Sequence, residues 1–106
     1  MTLDRAIPKP AAGQTLEALC RKHRVLRLSL FGSAAAGTLT EESDLDFMVE
    51  FEVMPPSEHA DAYFGLLADL ETLFQRKTDL LERSAVENPY LLRGIERSRR
   101  LIYEAA

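Results

Sequence analysis

Tryptophan is absent from this 106-residue chain, cysteine occurs once and histidine twice. One cysteine, Cys20, excludes an intrachain disulfide, and its place on the apolar side of an expected helix reads as a buried thiol, not a nucleophile. His23 and His59 have no cysteine or second histidine at ligand spacing, so a zinc site is not supported. No segment approaches the roughly 18 apolar residues of a membrane span, and the opening MTLDRAIPKPAAG lacks the apolar centre of a signal peptide. A cytoplasmic location is the expectation. Positive charge is also short: 13 Lys and Arg face 17 Asp and Glu, a formal net charge of −4. No overall positive field is available to hold a phosphate backbone, and free DNA or RNA is not the expected partner.

What is present describes a folded domain. Hydrophobic residues make up 46% and charged residues 28% of the chain, and the length allows one core. Residues 1–13, with Pro8, Pro10 and Gly13, read as a flexible leader, and 14–106 as a single domain. Leu16, Leu19 and Cys20 recur at helical spacing within Gln14 to His23. Val25 to Phe31 alternates Leu26, Leu28 and Leu30 against Arg27 and Ser29, as a strand with one buried face does. Ser33 to Gly37 is a short helix or turn, and Thr38 to Ser43 a polar loop. A second strand starts at about Asp44, with Leu45, Phe47, Val49, Phe51 and Val53 on one side and Asp44, Asp46, Met48, Glu50 and Glu52 on the other. Pro55 and Pro56 end it.

From Ser57, a candidate N-cap, the period changes. Ala60, Tyr63, Phe64, Leu67, Leu70 and Phe74 form the apolar stripe of a long helix, with Tyr63 and Phe64 read as core. KTDLLE, Lys77 to Glu82, suits a strand by its length, and a short helical turn follows Ser84. Asn88-Pro89 then opens a helix through Tyr90, Leu91, Leu92 and Ile95, and LIYE near the end reads as an edge strand. The order α, β, β, α, β, α, β predicts an α/β (α+β) fold: a small mixed β-sheet flanked by helices. Arg93, Arg97, Arg99 and Arg100, with Arg83 earlier, make the last fifth locally basic, either as a solvated helix face or as a steering surface for an acidic partner or a triphosphate.

The chemistry concentrates in LFGSAAAGTLTEESDLDFMVEF, Leu30 to Phe51. Alternate strand residues share a face with Cα atoms about 7 Å apart, so Asp44 and Asp46 project to one side. Two such carboxylates suit hard divalent ions such as Mg²⁺, which keep positions open for phosphate oxygens. A bare D-x-D is more often a solvated strand end. Just upstream, Gly32 lets a backbone approach a phosphate, and Ser33 adds a hydroxyl and an N–H.

Together Gly32, Ser33, Gly37, Ser43, Asp44 and Asp46 spell G-S-x3-G-x5-S-D-x-D, with the G-S after one strand and the D-x-D opening the next. This resembles the signature of the DNA polymerase β-like nucleotidyltransferase superfamily, and the small size resembles its minimal nucleotidyltransferases, the antitoxins found beside HEPN-domain toxins. The resemblance implies a nucleotidyltransferase-like fold, with Gly32 and Ser33 as the nucleotide-binding turn and Asp44 and Asp46 as catalytic metal ligands. Asp79 in KTDLLE is the implied third carboxylate, a ligand of the same metal pair and base toward the incoming hydroxyl. The reaction that the resemblance implies is transfer of AMP from ATP, with two Mg²⁺ ions, to a hydroxyl, that of a tyrosine in a HEPN-type toxin. One departure stands out. Relatives often carry arginine before the glycine that closes the loop, where this chain has Ala34, Ala35 and Ala36. The competing expectation is an antitoxin that neutralises its partner by binding alone. Homo- or hetero-oligomerisation stays open.

Overall fold

In the computed structural model, residues 15–32, 35, 37, 40 and 43–105 are described. The 1–13 leader, Ser33 and most of the loop up to Ser43 therefore lie outside the described residues. Among the described residues three α-helices and four strands follow in the order α1 (Leu16–Lys22), β1 (Val25–Phe31), β2 (Leu45–Phe51), α2 (Pro56–Phe74), β3 (Thr78–Glu82), α3 (Pro89–Ser98) and β4 (Arg100–Glu104), with a 3₁₀ turn at Arg83–Ala85. The strands form one sheet in the order β3-β2-β1-β4. β1 runs antiparallel to both β2 and β4, whereas β2 and β3 are parallel. The expected mixed sheet with flanking helices is what forms.

The main apolar cluster lies on one side of the sheet. Leu28 and Leu30 of β1 and Leu45, Phe47 and Val49 of β2 pack against Leu66, Leu70, Leu73 and Phe74 of α2, with Leu19 and Cys20 of α1 beside them. Each large side chain buried there contributes about 1.5–3 kcal/mol relative to exposure. Burial pushes the Cys20 thiol up to about 12, so it is a neutral packing group at physiological pH.

Several expectations change in detail. α2 starts at Pro56 with Pro55 as its N-cap and no capping side chain, not at Ser57; proline's fixed φ suits the first helical position. β2 stops at Phe51, and Val53, expected on the buried side, is fully exposed. Leu26 is 40% exposed because the β1–β2 register shifts between Val25 and Arg27, and a bulge breaks the alternation on which the pattern rested. Ser29, expected on the open face, is buried and its hydroxyl has no partner among the described residues. It occupies a central strand between Met48 and Leu101. Phe64, read as core, is 66% exposed, its ring edge-on to Tyr63. The stripe on α2 is simply narrower than its apolar composition suggests.

α1 is fastened to α2 through His23. Its Nε2 lies 2.6 Å from Asp69 Oδ2, and its ring lies so close to Gly65 that a Cβ there would come 2.6 Å from Cε1. The His23 bond is the main cause that holds the Asp69 carboxyl below its ordinary range, opposed by burial and assisted by Lys22. This contribution to stability is in place above the unfolded carboxyl pKa of about 3.9 and is lost as pH falls through the lower folded value. Gly65→Ala is expected to push the ring off Asp69 and cost about 1–3 kcal/mol. Urea unfolding measures it, and an unchanged midpoint would show that the ring moves aside freely.

Candidate active site

Strand register gathers the acidic residues at one end of the sheet. Asp46 on β2 pairs with Phe31 at the end of β1 and with Asp79 near the start of β3. Neighbouring strands are about 4.8 Å apart, so Asp46 and Asp79, 33 residues apart in sequence, become adjacent on one face. Asp44 lies just before β2, one residue ahead of the strand start that was expected to include it. Asp44 and Asp46 are half-buried, and Asp79 is exposed.

The electrostatics of Asp46 follow from this crowding. Burial, then the charge of Asp79, a hydrogen bond shared with Asp79, and the charge of Asp44 all push its carboxyl above the ordinary range. None of these causes is a cation. Like charges this close cannot all ionise comfortably unless a positive charge joins them. Among the described residues no three ligating side chains are drawn together tightly enough to form a ready-made metal cluster. The donor set still fits a hard divalent cation in chemical type, since Asp44, Asp46 and Asp79 offer carboxylate oxygen only and leave room for water and phosphate.

Gly32 closes the site from the β1 side. Its φ is +68°, a left-handed conformation that costs side-chain-bearing residues, and a Cβ built there would overlap Asp46 Oδ2 and lie 3.2 Å from its Cγ. The glycine thus seats the Asp46 carboxylate as well as turning the chain. Ser33 lies outside the described residues. Ser43 ties a turn instead, its Oγ accepting from Thr40 N–H at 3.1 Å.

Two groups escaped the sequence reading. Arg76 donates through Nη1 to Thr40 O at 2.8 Å and Ser43 O at 3.2 Å, anchoring the segment that delivers Asp44. Tyr63 donates from its hydroxyl to Leu80 O at 2.6 Å on edge strand β3. Together with Phe31, Leu67 and Leu81 it lines a cleft of about 420 Å³ that also contains Asp46 and Asp79. Burial, followed by the charges of Glu82 and Asp79, raises the Tyr63 pKa, so the phenol remains a neutral donor. The one available signal was chemical: a tyrosine within a leucine stripe needs a partner for its hydroxyl.

The mixed sheet with its helices is a nucleotidyltransferase-like fold, and comparison with known proteins agrees. Residues 13–102 match the family model described as a nucleotidyltransferase domain. A Methanocaldococcus jannaschii protein named "Putative protein adenylyltransferase MJ1379" is 40% identical over 82 residues, covering 77% of this chain and 79% of the relative. A solved structure of a "putative minimal nucleotidyltransferase" superposes with a TM-score of 0.60 at 31% identity, covering 78% of this chain and 81% of the other. A crystal structure of a toxin–antitoxin with AMP-PNP shares the fold at a TM-score of 0.65 and 20% identity, covering 83% and 69%. This chain belongs to the nucleotidyltransferase domain family. It is a nucleotidyltransferase.

Proposed function

We propose that this chain is an Mg²⁺-dependent adenylyltransferase of the cytoplasm that transfers AMP from ATP to a tyrosine hydroxyl of a HEPN-type toxin, and so acts as its antitoxin. The observation that carries the reading is the uncompensated Asp46–Asp79 pair, with Asp44 beside it, seated against Gly32 in an open cleft. The adenylyltransferase name of the archaeal relative and the AMP-PNP in a similarly folded toxin–antitoxin structure support the choice of donor and partner.

Asp44, Asp46 and Asp79 would hold the metal, and bound Mg²⁺ supplies charge neutralisation for the triphosphate and acidifies the attacking hydroxyl. The turn at Gly32 and Ser33 holds the triphosphate. The tyrosine oxygen attacks the α-phosphorus, the bond to the bridging oxygen breaks, and pyrophosphate leaves. The Asp79 carboxylate, exposed where an acceptor can approach, accepts the hydroxyl proton. In-line positioning in the cleft supplies much of the acceleration.

The alanine tract Ala34–Ala36 favours a second reading, in which the chain neutralises its partner by binding alone, because the loop offers no cation to the phosphates. Intact mass separates the two. Incubating the toxin with this protein and Mg²⁺-ATP is expected to add one or more AMP units, and the Asp44→Asn, Asp46→Asn double variant is expected to add none. A stable complex that neutralises the toxin with no mass gain would establish inhibition by binding instead.

A further inference from the structure

α3 presents an outer face that nothing among the described residues packs against. Of its ten residues only Ile95 is buried. Tyr90 is 78% and Leu91 51% exposed. One turn later along the same face come Arg93 and Gly94, and then Arg97, all exposed; residues three and four apart are neighbours on a helix surface.

Gly94 has no explanation among the described residues. A Cβ placed there would meet nothing within 4 Å, yet glycine inside a helix is less favourable than alanine. A helix keeps such a residue at a cost where another backbone must come close. Beside it the positive charge is unspent. Arg21, Arg24, Arg27 and Arg83 each pair with a glutamate, whereas Arg93, Arg97, Arg99 and Arg100 make no ion pair among the described residues. Arg93 only stacks over the Tyr90 ring, 5.6 Å from its centroid. In a chain of net charge −4, Arg93 and Arg97 thus flank one small apolar strip with no carboxylate partner among the described residues.

We infer that the outer face of α3, Tyr90, Leu91, Arg93, Gly94 and Arg97, docks an acidic helix of the partner toxin, packed close over Gly94. The inference rests on the toxin reading given above. Aromatic and arginine side chains around a small apolar strip are the usual anchors of such interfaces. Charge decides between occupants. A second copy docked about a twofold axis would set Arg93 and Arg97 against their own equivalents. Residues 1–14 carry Asp4 against Arg5 and Lys9, which is also the wrong sign. An acidic helix of another protein has the right one.

The location suits an acceptor. α3 ends at Ser98, and Arg100 of β4 pairs with Leu30 beside Phe31 and Gly32. The C-terminal end of α3 therefore reaches the end of the sheet that carries Asp44, Asp46 and Asp79. A partner lying along α3 is led toward the cleft.

The test uses the full chain and a purified HEPN-domain toxin of the kind proposed above as its partner. Gly94→Ala is expected to raise the Tm of the free protein by roughly 4–8 °C while weakening toxin binding about tenfold. Arg93→Glu with Arg97→Glu is expected to weaken binding about tenfold or more and to slow association. ATP affinity is expected to stay unchanged in both. A complex indifferent to both variants overturns the inference and leaves the toxin reading standing, whereas a wild type that forms no complex overturns both. Loss of ATP affinity would make the arginines triphosphate ligands, and a wild-type dimer dissociated by the double reversal would make the occupant a second copy. A chain lacking residues 1–13 that binds toxin more tightly, with the α3 variants indifferent, would make the leader the occupant. Each of these three outcomes overturns the assignment.

Discussion

Gly32→Ala is expected to lower nucleotidyl transfer about 100-fold while leaving a folded protein. The reason is position. A Cβ at residue 32 would overlap the Asp46 carboxylate, so the side chain must rotate or the β1 end must move, and a displacement of about 1 Å from productive geometry costs on the order of 100-fold in rate. The left-handed conformation adds about 1–2 kcal/mol of strain for alanine. Steady-state turnover with Mg²⁺-ATP, together with thermal unfolding, measures both effects. Turnover within twofold of wild type would show that Asp46 does not need its seat against Gly32.

Asp46→Asn is expected to separate activity from stability. Activity should fall by at least about 100-fold, the upper end of what losing even an outer-shell partner of a metal site costs. The metal-free variant should nevertheless unfold at the same temperature as wild type or higher, because asparagine removes the charge that Asp79 and Asp44 repel. The sign follows from the raised pKa. The folded state favours protonated Asp46, so this contribution is present below the unfolded carboxyl pKa of about 3.9 and is lost as pH rises through the higher folded value. Added Mg²⁺ should raise the wild-type Tm, by about 2.7 kcal/mol of stability at 100 times its Kd, and should raise that of the variant much less. A variant less stable than wild type without metal would refute the picture of uncompensated charge.

The local parts of this protein were legible because they depend on near neighbours in sequence. The two-residue period of β2 and the stripe on α2 follow from burying one face of a regular element. Asn88 caps α3 through bonds to the N–H groups of Tyr90 and Leu91, as the Asn-Pro pair suggests. The pattern failed where a non-local event intervened. Leu26 is displaced by a bulge in its pairing with β2, and Ser29 is enclosed by strands on both sides. Phe64 belongs to a stripe that only the sheet's actual width could trim.

The site divides in the same way. Spacing along the chain set Asp44 and Asp46 at the opening of β2 with a glycine turn ahead of them, and Gly32 does take the positive φ of such a turn; strand alternation, from which the shared face was expected, begins only at Leu45, one residue after Asp44. The sequence also held Asp79, but nothing local distinguished it from a surface carboxylate. The tertiary structure decided its neighbour: parallel pairing of β2 with β3 sets Asp79 beside Asp46, and that register is chosen by which apolar side chains meet α2. The same folding brought Arg76 onto the loop ahead of Asp44, Tyr63 onto β3, and the Asp46 carboxylate against Gly32. Such contacts join residues far apart in the chain, and only the closing of the sheet brings them within reach.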